Sequence, residues 1–171
     1  MKRELLKKMN KQINLEYFSA FLYLAMAEWL LHQGYVGASH WMAVQYREEV
    51  LHAEGFYRYL QRIGEKIELE AIEKPKKEWN SILEVFEEAL EHEQLITRSI
   101  YEIVDEAKKA GDYAAERFLD WYVMEQVEEE QNQNDNILGV QRAKDDVAAL
   151  LAFDTYLGTR EFGEEDIPYL E

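Results

Sequence analysis

The chain contains no cysteine. That excludes disulfides, thiolate zinc sites, cysteine-held iron–sulfur clusters and cysteine nucleophiles. Proline is nearly absent, with 2 in 171 residues, and glycine contributes only 8. So few breakers favour long helices over short strands joined by turns. Positive charge is scarce: 19 Lys and Arg stand against 35 Asp and Glu, a formal net charge of −16. Such a balance repels a phosphate backbone and attracts cations, so no nucleic-acid partner is expected. No run of about 18 apolar residues exists, so no membrane span is expected either. Residues 1–8 are charged without an apolar segment behind them, which is not the pattern of a secretory signal. The expectation is a soluble, cytoplasmic protein.

What is present suits a folded helical domain. Hydrophobic residues make up 47% of the chain, with 4 Trp, 11 Tyr and 7 Phe, enough for one domain with a full core. Apolar residues at steps of three and four predict an all-α domain over 1–158. Its helices are α1 over about 5–32, α2 over about 39–63, α3 over about 80–109, α4 over about 112–138 and α5 over about 142–157. Residues 159–171 form a polar tail. Ser39 is the expected N-cap of α2, Gly64 its C-terminal stop, and Asp112 the cap of α4. Ser81 with Glu84 fits a capping box for α3.

The connection lengths carry topology. Short turns after α1 and α3 make two antiparallel hairpins. Between them, about 65–78 forms a charged crossover whose roughly 14 residues reach about 46 Å when extended. That exceeds the length of about 36 Å expected for α2. The crossover therefore returns the chain to the end where α2 began. An up-down-down-up four-helix bundle follows, with one long α2–α3 crossover and a short fifth helix.

Charged residues interrupt the stripes that should form the core. The α1 stripe reads Leu6, Met9, Ile13, Glu16, Ala20, Tyr23, Ala27, and that of α2 reads Met42, Gln45, Glu49, His52, Phe56, Tyr59, Ile63. In α3 it is Ile82, Phe86, Ala89, Glu93, Ile96, Ile100, and in α4 Ala115, Leu119, Tyr122, Gln126, Glu129, Gln133, Ile137. Glu93 lies about 17 residues before the α3–α4 turn, and Gln126 and Glu129 about 15 and 18 after it, so their heights agree. Buried carboxylates without partners repel one another and are costly to desolvate; bound cations remove both problems. Carboxylates with one imidazole suit iron, and Glu49-x-x-His52 points both ligands the same way. Tyr23 fits either core packing or a hydrogen bond to a metal ligand. Glu128, Glu129 and Glu130 are consecutive, so at least one of them faces water. Trp121 and Tyr122 read as core, and His32, His40 and His92 as surface or locally hydrogen-bonded residues.

These segments resemble the non-haem ferritins of bacteria and archaea. The matches are Asn14-Leu15-Glu16-Tyr17 with Tyr23, Arg47-Glu48-Glu49-Val50-Leu51-His52-Ala53, Glu91-His92-Glu93, and the run from Trp121 to Glu130. The resemblance implies an iron-storage subunit that oxidises Fe(II) with O2 or H2O2 at a di-iron ferroxidase centre. Glu16, Glu49 and His52 would hold one iron. Glu49 would bridge to a second, held by Glu93 and Glu129 with Gln126 beside it. It also implies a third iron site from Glu48, Glu125, Glu128 and Glu129, and a homo-oligomeric shell of 24 subunits around ferric mineral.

Departures narrow the subfamily. Bacterioferritins carry a second Glu-x-x-His where this chain has Gln126-x-x-Glu129, and a haem-ligating Met where it has Val50; no haem is expected. Rubrerythrin-like proteins need cysteine pairs. The rival readings are a di-iron oxygenase acting on an organic substrate, which needs an apolar pocket beside the metals, and a non-enzymatic structural bundle. The tail has no assigned role.

Overall fold

The computed structural model describes residues 1–143, 145–163 and 167–170. Five helices appear among them: α1 Arg3–His32, α2 Val36–Arg62, α3 Ile82–Ala110, α4 Tyr113–Ala143 and α5 Val147–Leu157. One apolar cluster joins Leu5, Met9 and Ile13 of α1 to Phe56 and Leu60 of α2, Ile100 and Ile103 of α3, and Ala115 and Leu119 of α4. A second joins Tyr23 to Leu30, Ala38 to Met42, Ile82 to Ala89 and Val140. The start of α1 thus meets the end of α2, the end of α3 and the start of α4. This is the up-down-down-up bundle.

Side chains of α1 guide the crossover. Asn10 Oδ1 accepts from the Glu68 amide at 2.7 Å, and Asn14 Nδ2 donates to the Ala71 carbonyl at 3.3 Å. Trp79 then packs edge-on against Trp29 with ring centroids 6.0 Å apart. The segment passes residues 10, 14 and 29 of α1 in order, so it runs the length of the bundle.

The termini of the helices need several corrections. Ser39 is not the N-cap of α2: the helix begins at Val36 behind Tyr35, and the Ser39 hydroxyl donates to the Ala27 carbonyl at 2.8 Å. The cap comes from α5 instead. Both oxygens of the buried Asp154 carboxylate accept from α2, Oδ2 from Gly37 N at 3.0 Å and Oδ1 from Ala38 N at 2.8 Å. A Cβ on Gly37 would meet the Asp154 carbonyl oxygen at 1.6 Å, so only glycine permits this approach. Ser81 caps α3 as expected, but Glu84 closes the reciprocal bond on Asn80 N at 2.7 Å. Asp112 caps α4 through Ala115 N at 3.1 Å. That helix continues five residues past 138, and α5 starts at Val147 behind Asp146 rather than at 142. Leu6 and Ile63 also leave the core stripe. Leu5 takes the fully buried place at one end, and Ile63, at the C-cap of α2, is 42% exposed.

Asp154→Ala should therefore strand two buried amides and loosen α5 from α2. The expected cost is about 2 kcal/mol, read as a lower midpoint in guanidinium unfolding. An unchanged midpoint would mean that α5 docks by apolar contact alone.

Candidate metal centre

Between the two apolar clusters lies a polar layer. Glu16, Gln45, Glu49, His52, Glu93, Gln126 and Glu129 are all buried in it. They come from all four long helices, and the residues packed above and below are apolar. Ligand atoms of Glu16, Glu49 and His52 lie within 4.8 Å of one another, and so do those of His52, Glu125 and Glu129. The His52 Nδ1 to Glu49 Oε2 distance is 3.5 Å. Grouping His52 with Glu125 is an association that the stripes alone do not make.

Hydrogen bonds orient most of the remaining oxygens. Gln12 Nε2 donates to Glu16 Oε1 at 2.8 Å, and Gln12 Oε1 accepts from Ser99 Oγ at 2.6 Å. Gln45 Nε2 donates to both oxygens of Glu129 at 2.7 Å each. The Tyr23 hydroxyl donates to Glu93 Oε1, and Gln126 Nε2 donates to Glu93 Oε2 at 3.1 Å. Both readings open for Tyr23 hold: its buried ring belongs to the second apolar cluster, and its hydroxyl bonds Glu93. Glu16 Oε2 is buried with no partner among the described residues. An orphaned carboxylate oxygen beside an imidazole and a second carboxylate suits a divalent cation, which would supply the missing charge.

Glu93 and Glu128 stand outside both three-residue groups. Glu93 is held by Tyr23 and Gln126, whereas Glu128 is exposed at the rim. Glu48 is buried and bonded to Arg160, while Glu125 is half-buried. The other histidines are locally engaged: His32 with Glu28, His40 with the Arg160 carbonyl at 2.8 Å, and His92 with Ser19 Oγ at 2.7 Å. Burial pulls the His92 pKa down to about 4. Tyr122 is core, its hydroxyl donating to the His52 carbonyl at 2.9 Å.

A model of the ferritin-like domain family matches residues 6–142. The chain belongs to that family. The bacterial non-heme ferritin of Staphylococcus aureus strain MRSA252 is 38% identical over 165 residues, covering 96% of this chain and 99% of the relative. A novel open pore ferritin from the hyperthermophilic archaeon Archaeoglobus fulgidus superposes with a TM-score of 0.93 at 39% identity, covering 94% of this chain and 99% of that one. A closed form of the Archaeoglobus fulgidus ferritin, engineered by site-directed mutagenesis, gives a TM-score of 0.93 at 40% identity over 95% and 99% of the two chains. No helix of this ferritin, among the described residues, is long and apolar enough to cross a membrane.

Several residues around the ferritin site have roles that the stripes do not assign: Gln45 stands in the α2 stripe without one, and Gln12 and Arg160 lie outside the stripes. Gln12 and Gln45 each stand one turn before a buried glutamate, at i−4 from Glu16 and Glu49. That shared spacing on two paired helices is the signal that would have found them. Arg160 lies in the tail and carries no periodic signal, yet its guanidinium donates to Gln45 Oε1 at 2.7 Å and to Glu48 Oε2 at 2.5 Å.

Desolvation dominates the protonation of the layer. It raises Glu16 to about 7, against the opposing pull of His52 and the Gln12 amide. Burial, then the charge of Glu93, pushes Glu49 and Glu129 well above the carboxylate range. Burial raises Glu93 as well, opposed by the bonds from Tyr23 and Gln126. A carboxyl whose folded pKa exceeds its unfolded value of about 4.5 costs nothing while protonated in both states. Its penalty grows as pH climbs past the unfolded value and is complete above the folded one. For Glu16 alone the full penalty is about 3 kcal/mol. Metal-stripped protein should accordingly lose thermal stability between pH 5 and pH 7.5, less steeply in Glu16→Gln, and Zn2+ should restore it most at the upper end. Metal-free melting that is flat across this range would refute the linkage.

Proposed function

We propose that this ferritin binds two Fe(II) ions as substrate in the polar layer, oxidises them, and passes the Fe(III) to storage in a homo-oligomeric shell of 24 subunits. Glu16, Glu49 and His52 take one ion, and Glu49 bridges to the second, held by Glu93 and Glu129. The observation that carries this is the convergence of four buried glutamates and one histidine from four helices, with one carboxylate oxygen left unpartnered. Anionic oxygen ligands stabilise the higher iron charge and so favour loss of an electron. Each Fe(II) gives up one electron; the pair together, with two protons in either case, reduces O2 to H2O2 or H2O2 to two waters.

The surrounding residues position the ligands. Tyr23 and Gln126 hold Glu93, and Gln12 holds Glu16. Gln45 spans Glu129 and must release it when a cation arrives. Glu48, Glu125, Glu128 and Glu129 form the third iron site, on the outer side of the layer. These four carboxylates line a cavity of ≈520 Å³ together with Trp41 and Trp121. Such a lining suits a cation better than the organic substrate of an oxygenase. Val50 leaves no thioether for haem at its position.

Exposed apolar residues fit burial in a shell. Phe21, Leu24 and Leu31 of α1 are 47%, 44% and 51% exposed, and Val147, Leu151 and Tyr156 of α5 are 70%, 55% and 68% exposed. Size-exclusion chromatography of protein incubated aerobically with excess Fe(II) tests the whole reading. A particle of about 24 subunits co-eluting with ferric iron is the expected result. A monomer, or a particle that takes up no iron, would refute it.

A further inference from the structure

The tail beyond α5 turns back over the centre. The Arg160 carbonyl accepts from His40 Nε2 at 2.8 Å, and its amide donates to the Leu157 carbonyl at 3.3 Å. Farther on, Ile167 is 4% exposed and packs where Gly55 meets Tyr122. Beyond it Tyr169 lies against Tyr59 and Phe118, with the Arg62 guanidinium over its ring. The chain is thus anchored on both sides of the outer cavity.

That cavity is strongly anionic. Glu48, Glu125, Glu128, Glu129 and Glu161 line it, and among its described lining residues Arg160 is the only cation. The guanidinium is held on two sides. It donates to Gln45 Oε1 and Glu48 Oε2, and its Cζ lies 4.1 Å from the centre of the Trp41 ring. A planar fork stacked on an aromatic face suits arginine rather than lysine. Its positive charge sits on the carboxylate that a third metal ion would use.

We propose that Arg160 is a tethered counter-ion of this cavity, bound to Glu48 until a metal cation entering among Glu48, Glu125, Glu128 and Glu129 displaces it. The inference rests on the third site named above. A divalent ion and the guanidinium cannot share one carboxylate in a partly buried site without mutual repulsion. The third ion therefore binds more weakly than the acidic lining alone would allow, and its arrival moves the tail.

Equilibrium dialysis of the assembled protein against Zn2+ alone tests this by resolving binding beyond two ions per subunit. Arg160→Gln should tighten the third equivalent at least tenfold. Arg160→Lys, which keeps the charge, should stay within threefold of wild type. Adding Glu48→Gln to Arg160→Gln should erase the gain. In a Trp121→Phe background the third equivalent should also change tryptophan emission, as the guanidinium leaves Trp41. Unchanged or weaker third binding in Arg160→Gln overturns the proposal, and so does Lys behaving as Gln or an emission that stays constant. If the first two equivalents also fail to bind, the di-metal reading itself falls; if they bind and the third behaves otherwise than stated, only the role of Arg160 does.

Discussion

Glu49→Ala should abolish the fast phase of Fe(II) oxidation while the protein still folds and assembles. Glu49 offers an oxygen to the group shared with Glu16 and His52 and accepts from Gln45 at 3.5 Å on the other side. Removing it takes a ligand from both proposed irons at once. Loss of an outer partner of a metal ligand already costs about 10–100-fold in affinity or activity; loss of a shared ligand should cost at least on the order of a hundredfold. The fold should survive because the carboxylate is itself a burden without metal: burial and Glu93 both disfavour its charge. Stopped-flow absorbance after aerobic mixing with two Fe(II) per subunit measures the rate, and circular dichroism measures the helix. A wild-type rate in the variant would remove Glu49 from the centre.

The second large effect separates the pair from the third site. Glu93→Ala should lose the fast phase, because one Fe(II) alone cannot supply two electrons to one O2. Glu128→Ala should still oxidise the first two ions quickly and fail only on the third. Burial carries the distinction. Glu93 is 1% exposed between the bonds from Tyr23 and Gln126, whereas Glu128 is exposed at the mouth of the outer cavity. Titration from one to three Fe(II) per subunit in the same instrument resolves the two behaviours. The opposite assignment, with Glu128→Ala slow and Glu93→Ala fast, would falsify the roles given to α3 and α4.

Glu49 and Glu93 are brought forward by periodicity alone, whereas Glu128 comes forward only through the resemblance. A helix repeats every 3.6 residues, so an apolar stripe with a carboxylate at its centre marks that carboxylate as inward-facing. Glu16, Glu49, His52, Glu93, Gln126 and Glu129 stand out this way, and all of them lie in the buried layer. The bundle order was equally legible, because the lengths of turns and crossover limit which helix ends can meet. Glu128 was separable from Glu129 only by noting that consecutive helical positions point about 100° apart.

Other features have no local signature. Ser39 has the chemistry of a cap and stands near the right place, yet Asp154, more than a hundred residues away, satisfies the α2 amides. A capping preference is worth about 1 kcal/mol, and a buried carboxylate delivered by a docked helix outweighs it. Likewise nothing near Arg160 in sequence indicates its partners. It reaches Gln45, Glu48 and Trp41 because α5 carries the chain back across α2, and only then does the cavity's negative charge act on it. Residues 164–166 and 171 of the same tail lie outside the described residues. Sequence determined which faces of the four long helices turn inward and in what order the helices run, since both follow from short-range periodicity and chain length. Tertiary structure alone decided which carboxylate oxygens are already bonded, which is left bare, and which charge from the tail lines the cavity, because those depend on groups brought within a few ångströms by packing.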